Sequence, residues 1–213
     1  SDGHYNTTSL SVGLGTGALN SEDVTAVRYN VAVGGNALYS NTTGSYNVSS
    51  GYGALWSNTT ADDNTASGYR ALYLNTIGDG NTASGSYALE DNTTGDYNTA
   101  TGAWSLYNNT TGTGNTASGV NALSTNTTGH SNTATGRSAL TFNNTGFQNT
   151  AVGTNALYLN TTGTLNIGIG FTAGDAIING SNNTIIGDLP GTTSLADTVL
   201  IGAGATERLK VNS

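Results

Sequence analysis

Asn64-Thr65-Ala66-Ser67-Gly68, followed by Ala71-Leu72 and Asn75-Thr76, is one copy of a unit that returns every 17 residues. The unit reads approximately Asn-Thr-Ala-x-Gly-x-x-Ala-Leu-x-x-Asn-Thr-Thr-Gly-x-x. Its opening Asn stands at positions 30, 47, 64, 81, 98, 115, 132, 149, 166 and 183. A short, strict period of this kind indicates a solenoid, in which each coil buries its apolar side only against its neighbours.

The unit is shorter than the helical repeats of solenoid proteins, which run to about 30 residues or more. Two fixed Gly positions separate small and β-branched residues, which favour strands and turns. We therefore expect an all-β fold, a parallel β-solenoid (β-roll) with 17-residue coils of two short strands each. Successive coils would then stack about 4.8 Å apart as rungs of parallel sheets.

The repeat pattern also divides the chain. Residues 1–29 are predicted to form an imperfect first coil or cap, because a two-residue insertion near Glu22-Asp23 breaks the spacing. Residues 30–187 form ten regular rungs. The pattern ends at Leu189-Pro190-Gly191, so residues 188–213 are predicted to be a linker and the start of a following β module.

The columns of the repeat assign an interior and its corners. The Ala and Leu columns are the predicted core, and the two Gly columns mark corners that need positive φ or close approach. Asn amides repeated at one position can hydrogen-bond up and down the stack, so the Asn columns are predicted ladders. The structural ladder positions are Asn64, Asn81, Asn98, Asn115, Asn132, Leu72, Leu89, Leu106 and Leu123.

A single coil has little to bury. One Leu contributes roughly 1.5–3 kcal/mol on burial, whereas fixing each backbone residue costs roughly 1–2 kcal/mol. The side that carries Thr65 and Ser67 becomes apolar toward both ends, at Val31-Ala32-Val33 and Ile167-Gly168-Ile169. Three copies packed around an axis on this side would supply the missing burial, so we expect a homotrimer.

Composition excludes several classes of function. Five Lys and Arg residues against a net charge of −8 cannot neutralise many phosphates, so nucleic-acid binding is not expected. No apolar run is long enough for this segment to insert into a membrane. The chain lacks Cys, and its histidines, His4 and His130, lie far apart, so neither an enzyme nor a resident cofactor is expected. The absence of Cys and Met and a surface of Asn, Ser, Thr and Gly suit an extracellular location.

The segments Asn64-Thr65-Ala66-Ser67-Gly68 and Ala71-Leu72 resemble the head repeats of trimeric autotransporter adhesins. The longer unit resembles repeats of phage-type tail-fibre proteins, and residues 199–211 are similar to segments that follow such repeats. The resemblance implies a left-handed β-roll in a trimer. It also implies a rigid, adhesive fibre segment that displays a repeated polar surface for attachment to a host, through a cell-surface glycan or protein receptor. A phage tail fibre and a bacterial surface adhesin both remain open.

Three acids share one column of the repeat, Asp62, Asp79 and Asp96. Stacking would place their carboxylates about 5 Å apart, where like charges repel unless a cation bridges them. Oxygen ligands suit Ca²⁺, so the column is a candidate calcium site. The alternative is three exposed turn acids that water screens.

Aromatic residues share another column, at Tyr39 and at the candidate binding residues Trp56, Tyr73, Tyr107 and Tyr158. Beside Asn and Asp they could form a platform for a glycan, or they could stack on one another and shield the sheet. The Asn-Thr-Thr turns also match the N-glycosylation pattern, with simple turn chemistry as the alternative. These candidate acceptors are Asn41, Asn58, Asn92, Asn126 and Asn160.

A rival hypothesis is an ice-binding β-solenoid. The Thr-Ala-Ser and Thr-Ala-Thr segments recur at a regular spacing, and a flat array of hydroxyl groups could order water. The rival needs Thr65 and Ser67 to face solvent, whereas the fibre needs them against another chain.

Overall fold

The computed structural model describes residues 3–5, 8–23, 25–203 and 206–212, and these hold a single sheet of 14 strands in chain order. Within this part of the chain there is no helix that could cross a membrane. The strands are β1 (Gly3–Tyr5), β2 (Val12–Leu14), β3 (Val31–Val33), β4 (Val48–Ser50), β5 (Thr65–Ser67), β6 (Thr82–Ser84), β7 (Thr99–Thr101), β8 (Thr116–Ser118), β9 (Thr133–Thr135), β10 (Thr150–Val152), β11 (Ile167–Ile169), β12 (Thr184–Ile186), β13 (Thr198–Ala203) and β14 (Thr206–Asn212).

The sheet is parallel from β2 to β13, and equivalent residues of successive coils pair directly. Ala66 lies opposite Ala83, and Ala83 lies opposite Ala100. The register step is 19 residues between Val12 and Val31, where the insertion falls. The predicted fold class is therefore confirmed: the chain is an all-β parallel β-solenoid of about 11 turns with 17-residue coils.

One detail of the prediction is wrong, because each coil has one three-residue strand rather than two. The opposite side of the coil runs through the Leu column, where Leu72, Leu89 and Leu106 have φ values of 51°, 52° and 48°. A left-handed residue turns the chain and prevents an extended strand. Backbone bonds between coils persist nevertheless, as from Leu72 N–H to Ala88 O at 3.0 Å.

The core is a narrow column of Ala and Leu. The middle residue of each strand from β3 to β12 is buried while its two neighbours point outward. Ala66 from the strand, and Ala71 and Leu72 from the opposite side, are all fully buried. Small residues on one side and a single Leu on the other therefore set the thickness of the coil.

Two ladders of buried Asn side chains complete the interior. In the opening column, Asn98 Oδ1 accepts hydrogen bonds from the backbone N–H and from Nδ2 of Asn115, at 3.0 and 3.1 Å. Asn98 Nδ2 donates to Gly112 O at 2.8 Å. In the second column, Asn92 Nδ2 donates to Asn75 Oδ1 at 2.6 Å. Each amide thus ties its own turn to the neighbouring coil, and the same polar groups recur at every level.

The corner after the strand requires glycine. Gly85 has a φ of 143°, which L-residues rarely adopt. A Cβ atom at Gly85 would lie 2.6 Å from the carbonyl carbon and oxygen of Gly102 in the next coil. Close stacking of coils is therefore possible only while this column has no side chains.

The insertion near the N-terminus closes the opening Asn ladder. Ser11 occupies the place of the Asn in the first coil, and its Oγ accepts a hydrogen bond from Asn30 N–H at 3.0 Å. Glu22 Oε1 accepts from Ser11 Oγ at 2.6 Å and from Asn30 Nδ2 at 3.1 Å. The Glu22 carboxylate therefore takes the role that an Asn Oδ1 has in the regular coils.

Replacing Glu22 with Ala is expected to loosen the first coil. Removal of the acceptor leaves the buried Ser11 hydroxyl without its acceptor and Asn30 Nδ2 with Gly44 O alone, and an unsatisfied buried donor costs about 1–3 kcal/mol. Hydrogen exchange at the amides of Asn30 and Val31 should become about tenfold faster or more, with little change around β7. Glu22→Gln keeps an acceptor oxygen and should retain most of the protection. Equal exchange in Glu22→Ala and the wild type would contradict the capping role.

The sheet continues past the boundary that the sequence predicts after Gly187. β13 adds to β12 in parallel, with Thr184 opposite Val199, and β14 returns antiparallel to β13. The step of 15 residues is shorter than the repeat. Asn183 is the last residue of the opening Asn column, and its Oδ1 is buried without a hydrogen-bond partner. The Asn ladder therefore ends before the sheet does.

Candidate functional site

The most extensive regular surface is the strand face, which we define as the outward side chains that flank the buried middle residue of β2–β12. None of these residues is charged, although the chain has a net charge of −8. Its centre, over β5–β9, carries only hydroxyl side chains. Both ends are apolar and exposed, at Leu14, Val31, Val33 and Val48 and at Val152, Ile167, Ile169 and Ile186.

The hydroxyl groups at the centre of the strand face make no hydrogen bonds with the residues that the structure describes. The described residues provide no hydrogen-bond partner for Oγ of Thr82, Ser84 or Thr99. Thr hydroxyls on the opposite side differ, since Thr76 Oγ1 donates to Thr93 O at 2.9 Å. The strand-face hydroxyls are therefore available to water or to another molecule.

The three predicted calcium ligands accept backbone hydrogen bonds instead of standing free. Asp79 Oδ1 accepts from Asp62 N–H, and Asp96 Oδ1 accepts from Asp79 N–H, both at 2.8 Å. These hydrogen bonds explain why the carboxylates stack in one column, and the explanation requires no bound metal ion. No group of three or more His, Cys, Asp or Glu that could hold a metal occurs among the residues described. The calcium site stays a prediction, which a Ca²⁺ titration without heat or change in melting temperature would contradict.

The candidate glycosylation sites lie inside the solenoid. Asn41, Asn58, Asn92, Asn126 and Asn160 are fully buried. The Nδ2 atom of Asn92, to which a glycan would be attached, already donates to Asn75 Oδ1 and to Gly95 O. The burial and bonding of these amides favour the alternative, in which the Asn-Thr-Thr pattern belongs to turns and ladders.

The predicted aromatic platform separates into three groups. Tyr39, Trp56 and Tyr73 stack on one another, with centroids 5.6 and 5.3 Å apart. Tyr107 instead meets Tyr87 edge-on at 6.4 Å. Tyr158 lies farther along the rod and contacts Phe142 edge-on at 5.0 Å. The rings of the first group cover one another, so their faces are largely unavailable to a ligand.

A second row of rings lies beside the first, and the sequence column did not predict it as a unit. Tyr52 stacks on Tyr69 at 5.8 Å, Tyr69 meets Tyr87 edge-on at 5.2 Å, and Tyr87 stacks on Trp104 at 5.9 Å. Tyr87 and Trp104 stand one repeat position later than Tyr52 and Tyr69, which hides the row in the alignment of repeats. We define the aromatic corner as Tyr39, Tyr52, Trp56, Tyr69, Tyr73, Tyr87, Trp104 and Tyr107.

An ion pair sits within the aromatic corner. The Arg70 guanidinium lies 4.0 Å from the centroid of the Tyr73 ring, and its Nη2 is 2.7 Å from Glu90 Oε1. Glu90 occupies the repeat position of Tyr73 and Tyr107 and is only 3% exposed. Arg70 Nε and Glu90 Oε2 are both buried without a hydrogen-bond partner.

Burial is the largest cause of the pKa shifts in the aromatic corner. Desolvation raises the pKa of Glu90, Arg70 opposes the increase, and Asp91 adds to it. Desolvation likewise raises the pKa of Asp91 and of the Tyr107 hydroxyl. The pKa of Asp175, which lies farther along the rod, is raised by burial and then by Asp188. The ionised forms of Glu90, Asp91 and Asp175 are therefore less favourable in the folded chain than in the unfolded chain.

Mild acid is expected to stabilise the protein. With the pKa of Glu90 raised on folding, the folded state holds its proton more tightly, so stability falls as the pH rises through the folded pKa. Melting should therefore occur at a higher temperature at about pH 5 than at about pH 7.5.

The same scans on two variants test the origin of this effect. Glu90→Gln removes one of the three described carboxyl groups whose pKa is raised and should reduce the pH dependence, while Asp91 and Asp175 maintain the remainder. Asp63→Asn, at an exposed position, should leave it unchanged. A melting temperature that rises with pH over this interval would contradict the assignment.

The comparisons with known proteins identify no relative. No protein-family model matches the chain, and neither a curated protein nor a solved structure is significantly similar to it.

Proposed function

We propose that this chain is a rigid shaft segment of an extracellular trimeric fibre, in which the strand faces of three copies pack around a common axis. The observation that carries the proposal is the strand face itself, which is uncharged along its whole length and apolar and exposed at both ends. The described solenoid supplies a continuous sheet with a constant register step from β3 to β12, on which such contacts can repeat.

Physical reasoning favours burial of this face. Val33 and Ile169 are each about two-fifths exposed in the single chain, and covering apolar surface contributes about 25 cal/mol per Å². Soluble monomers rarely leave contiguous apolar patches uncovered. A partner would not have to desolvate any charge, because the strand face has none.

The remaining sides suit display. The polar turns recur along the rod, and each chain also presents one aromatic corner; both lie outside the strand face. Three copies of each weak site would then bind a host or receptor surface with avidity. Phage fibres and bacterial adhesins share this requirement, and the proposal holds for both.

Site-specific cross-linking tests the proposed packing, and the absence of native cysteine makes it specific. Val33→Cys and Ile169→Cys place thiols on the strand face, and Thr94→Cys places one on the exposed opposite side. A short bifunctional maleimide should join the strand-face variants into dimers at micromolar concentration and leave Thr94→Cys monomeric. Similar yields for all three variants, or no cross-link at Val33 and Ile169, would overturn the proposal.

The unpartnered hydroxyl array supports a second candidate, ice binding. In the single chain Thr65, Ser67 and Thr99 are exposed, and the rungs repeat about every 4.8 Å. Ice binding predicts thermal hysteresis that Thr99→Lys abolishes and Thr94→Lys does not. The trimeric fibre predicts no hysteresis in either variant or in the wild type.

A further inference from the structure

We propose that the aromatic corner binds a neutral oligosaccharide along the rod, with Trp104 and Tyr69 as stacking surfaces and Arg70 as a hydrogen-bond donor. The site lies within one chain, between the levels of β4 and β7. It does not depend on trimer formation, so its test and the cross-linking test fail independently.

The exposed rings supply the first part of the argument. Trp104 and Tyr69 are both 45% exposed and Tyr52 is 55% exposed. Trp104 stacks on Tyr87 with one face of its indole. Its exposed fraction leaves part of the indole surface free for contact with the apolar face of a sugar. The three rings follow the rod over four coils, as an extended ligand requires.

The ion pair supplies the second part. The Arg70 side chain is 33% exposed, so a ligand can reach it, whereas Glu90 is only 3% exposed and pairs with Arg70 Nη2 at 2.7 Å. Arg70 Nε and Glu90 Oε2 are themselves buried, so a ligand meets only the exposed part of the Arg70 side chain. Glu90 is accordingly a positioning residue for Arg70. Arginine donates hydrogen bonds and cannot accept them, and the hydroxyl groups of a sugar can accept.

The charged residues of the aromatic corner favour a neutral ligand over an anion or a cation. An anion would meet Glu90 and Asp91 and the net charge of −8, and the guanidinium that could attract it is already paired with Glu90. A cationic ligand would have to displace Arg70 from the face of Tyr73. A neutral oligosaccharide avoids both penalties and uses the ring faces and hydroxyl partners together.

Calorimetric titration of the full chain tests the site. The neutral probes are cellohexaose and mannohexaose, and the charged probes are sialyllactose and choline. We expect saturable binding of a neutral probe. Trp104→Ala should weaken it at least tenfold, Arg70→Ala should weaken it several-fold, and Glu90→Gln should weaken it less than Arg70→Ala. Tyr97→Ala removes a ring that is 72% exposed but outside the corner and should leave binding unchanged.

Two further variants separate binding from folding. Trp104→Phe retains a ring and should recover most of the affinity. Tyr69→Leu keeps an apolar contact while it removes a stacking surface, and it should weaken binding at an unchanged melting temperature. No saturable heat with either neutral probe, preference for sialyllactose or choline, or full affinity in Trp104→Ala and Tyr69→Leu would overturn the proposal.

Discussion

Replacement of Asn98 with Ala is expected to lower the free energy of unfolding by about 2–4 kcal/mol, through loss of buried hydrogen bonds. Asn98 is fully buried in the centre of the opening Asn ladder. Its Oδ1 accepts the backbone N–H of Asn115, which has no other acceptor among the described bonds. Ala removes that acceptor and leaves a gap between two coils. Because neighbouring coils contact one another directly, the loss should spread to adjacent rungs.

A matched variant in the same coil controls for the loss of an Asn. Asn108 is half-buried, and the described hydrogen bonds include none from its side chain. Asn108→Ala should change the free energy of unfolding by less than about 0.5 kcal/mol. Urea unfolding at one fixed protein concentration measures both variants, since assembly would otherwise shift the apparent stability. Equal stability of the two variants would show that the Asn ladder does not hold the coils together.

Replacement of Gly85 with Ala is expected to cost more than about 3 kcal/mol, through backbone strain and overpacking together. The φ of 143° is unfavourable for any residue with a Cβ. The added methyl group would also press against the Gly102 backbone at 2.6 Å. Backbone atoms in a stacked sheet cannot rotate away as a flexible side chain can, so the spacing of two coils must change.

Gly114 provides the matched glycine. Its φ is 63°, and the nearest atom to an added Cβ is Ser131 Oγ at 4.0 Å. Gly114→Ala should therefore cost only about 1–2 kcal/mol for the left-handed conformation. Thermal unfolding of the two variants at equal concentration compares the corner with an open turn. A similar decrease for Gly85→Ala and Gly114→Ala would contradict the role of close coil stacking.

The 17-residue period was sufficient to predict the solenoid, its parallel register and the buried Ala and Leu columns. It could not predict the conformation of the side opposite the strands. Leu disfavours the left-handed region in isolation, yet Leu72 adopts it because its side chain fills the core and its N–H reaches the next coil. That arrangement depends on neighbouring coils and has no local signal in the sequence.

The candidate site residues were harder to predict for a similar reason. Asn92 looks like a glycosylation acceptor until the fold places its amide inside the ladder. Trp56 and Tyr73 share a column, but the more exposed rings are Tyr69 and Trp104, whose columns differ by one position. In the sequence Glu22 is only part of an irregular insertion. In the folded chain its carboxylate accepts a hydrogen bond from Asn30 Nδ2 and caps the ladder. In each case the role of the residue depends on the direction of its side chain in the fold, which the spacing of residues in the sequence does not give.

Sedimentation equilibrium of the full chain at micromolar concentration measures whether the strand face packs against two further copies of the chain. We expect a single species of three times the 21.4 kDa chain mass, which Val33→Lys together with Ile169→Lys converts to smaller species. A stable, folded monomer of 21.4 kDa in the wild type would contradict it.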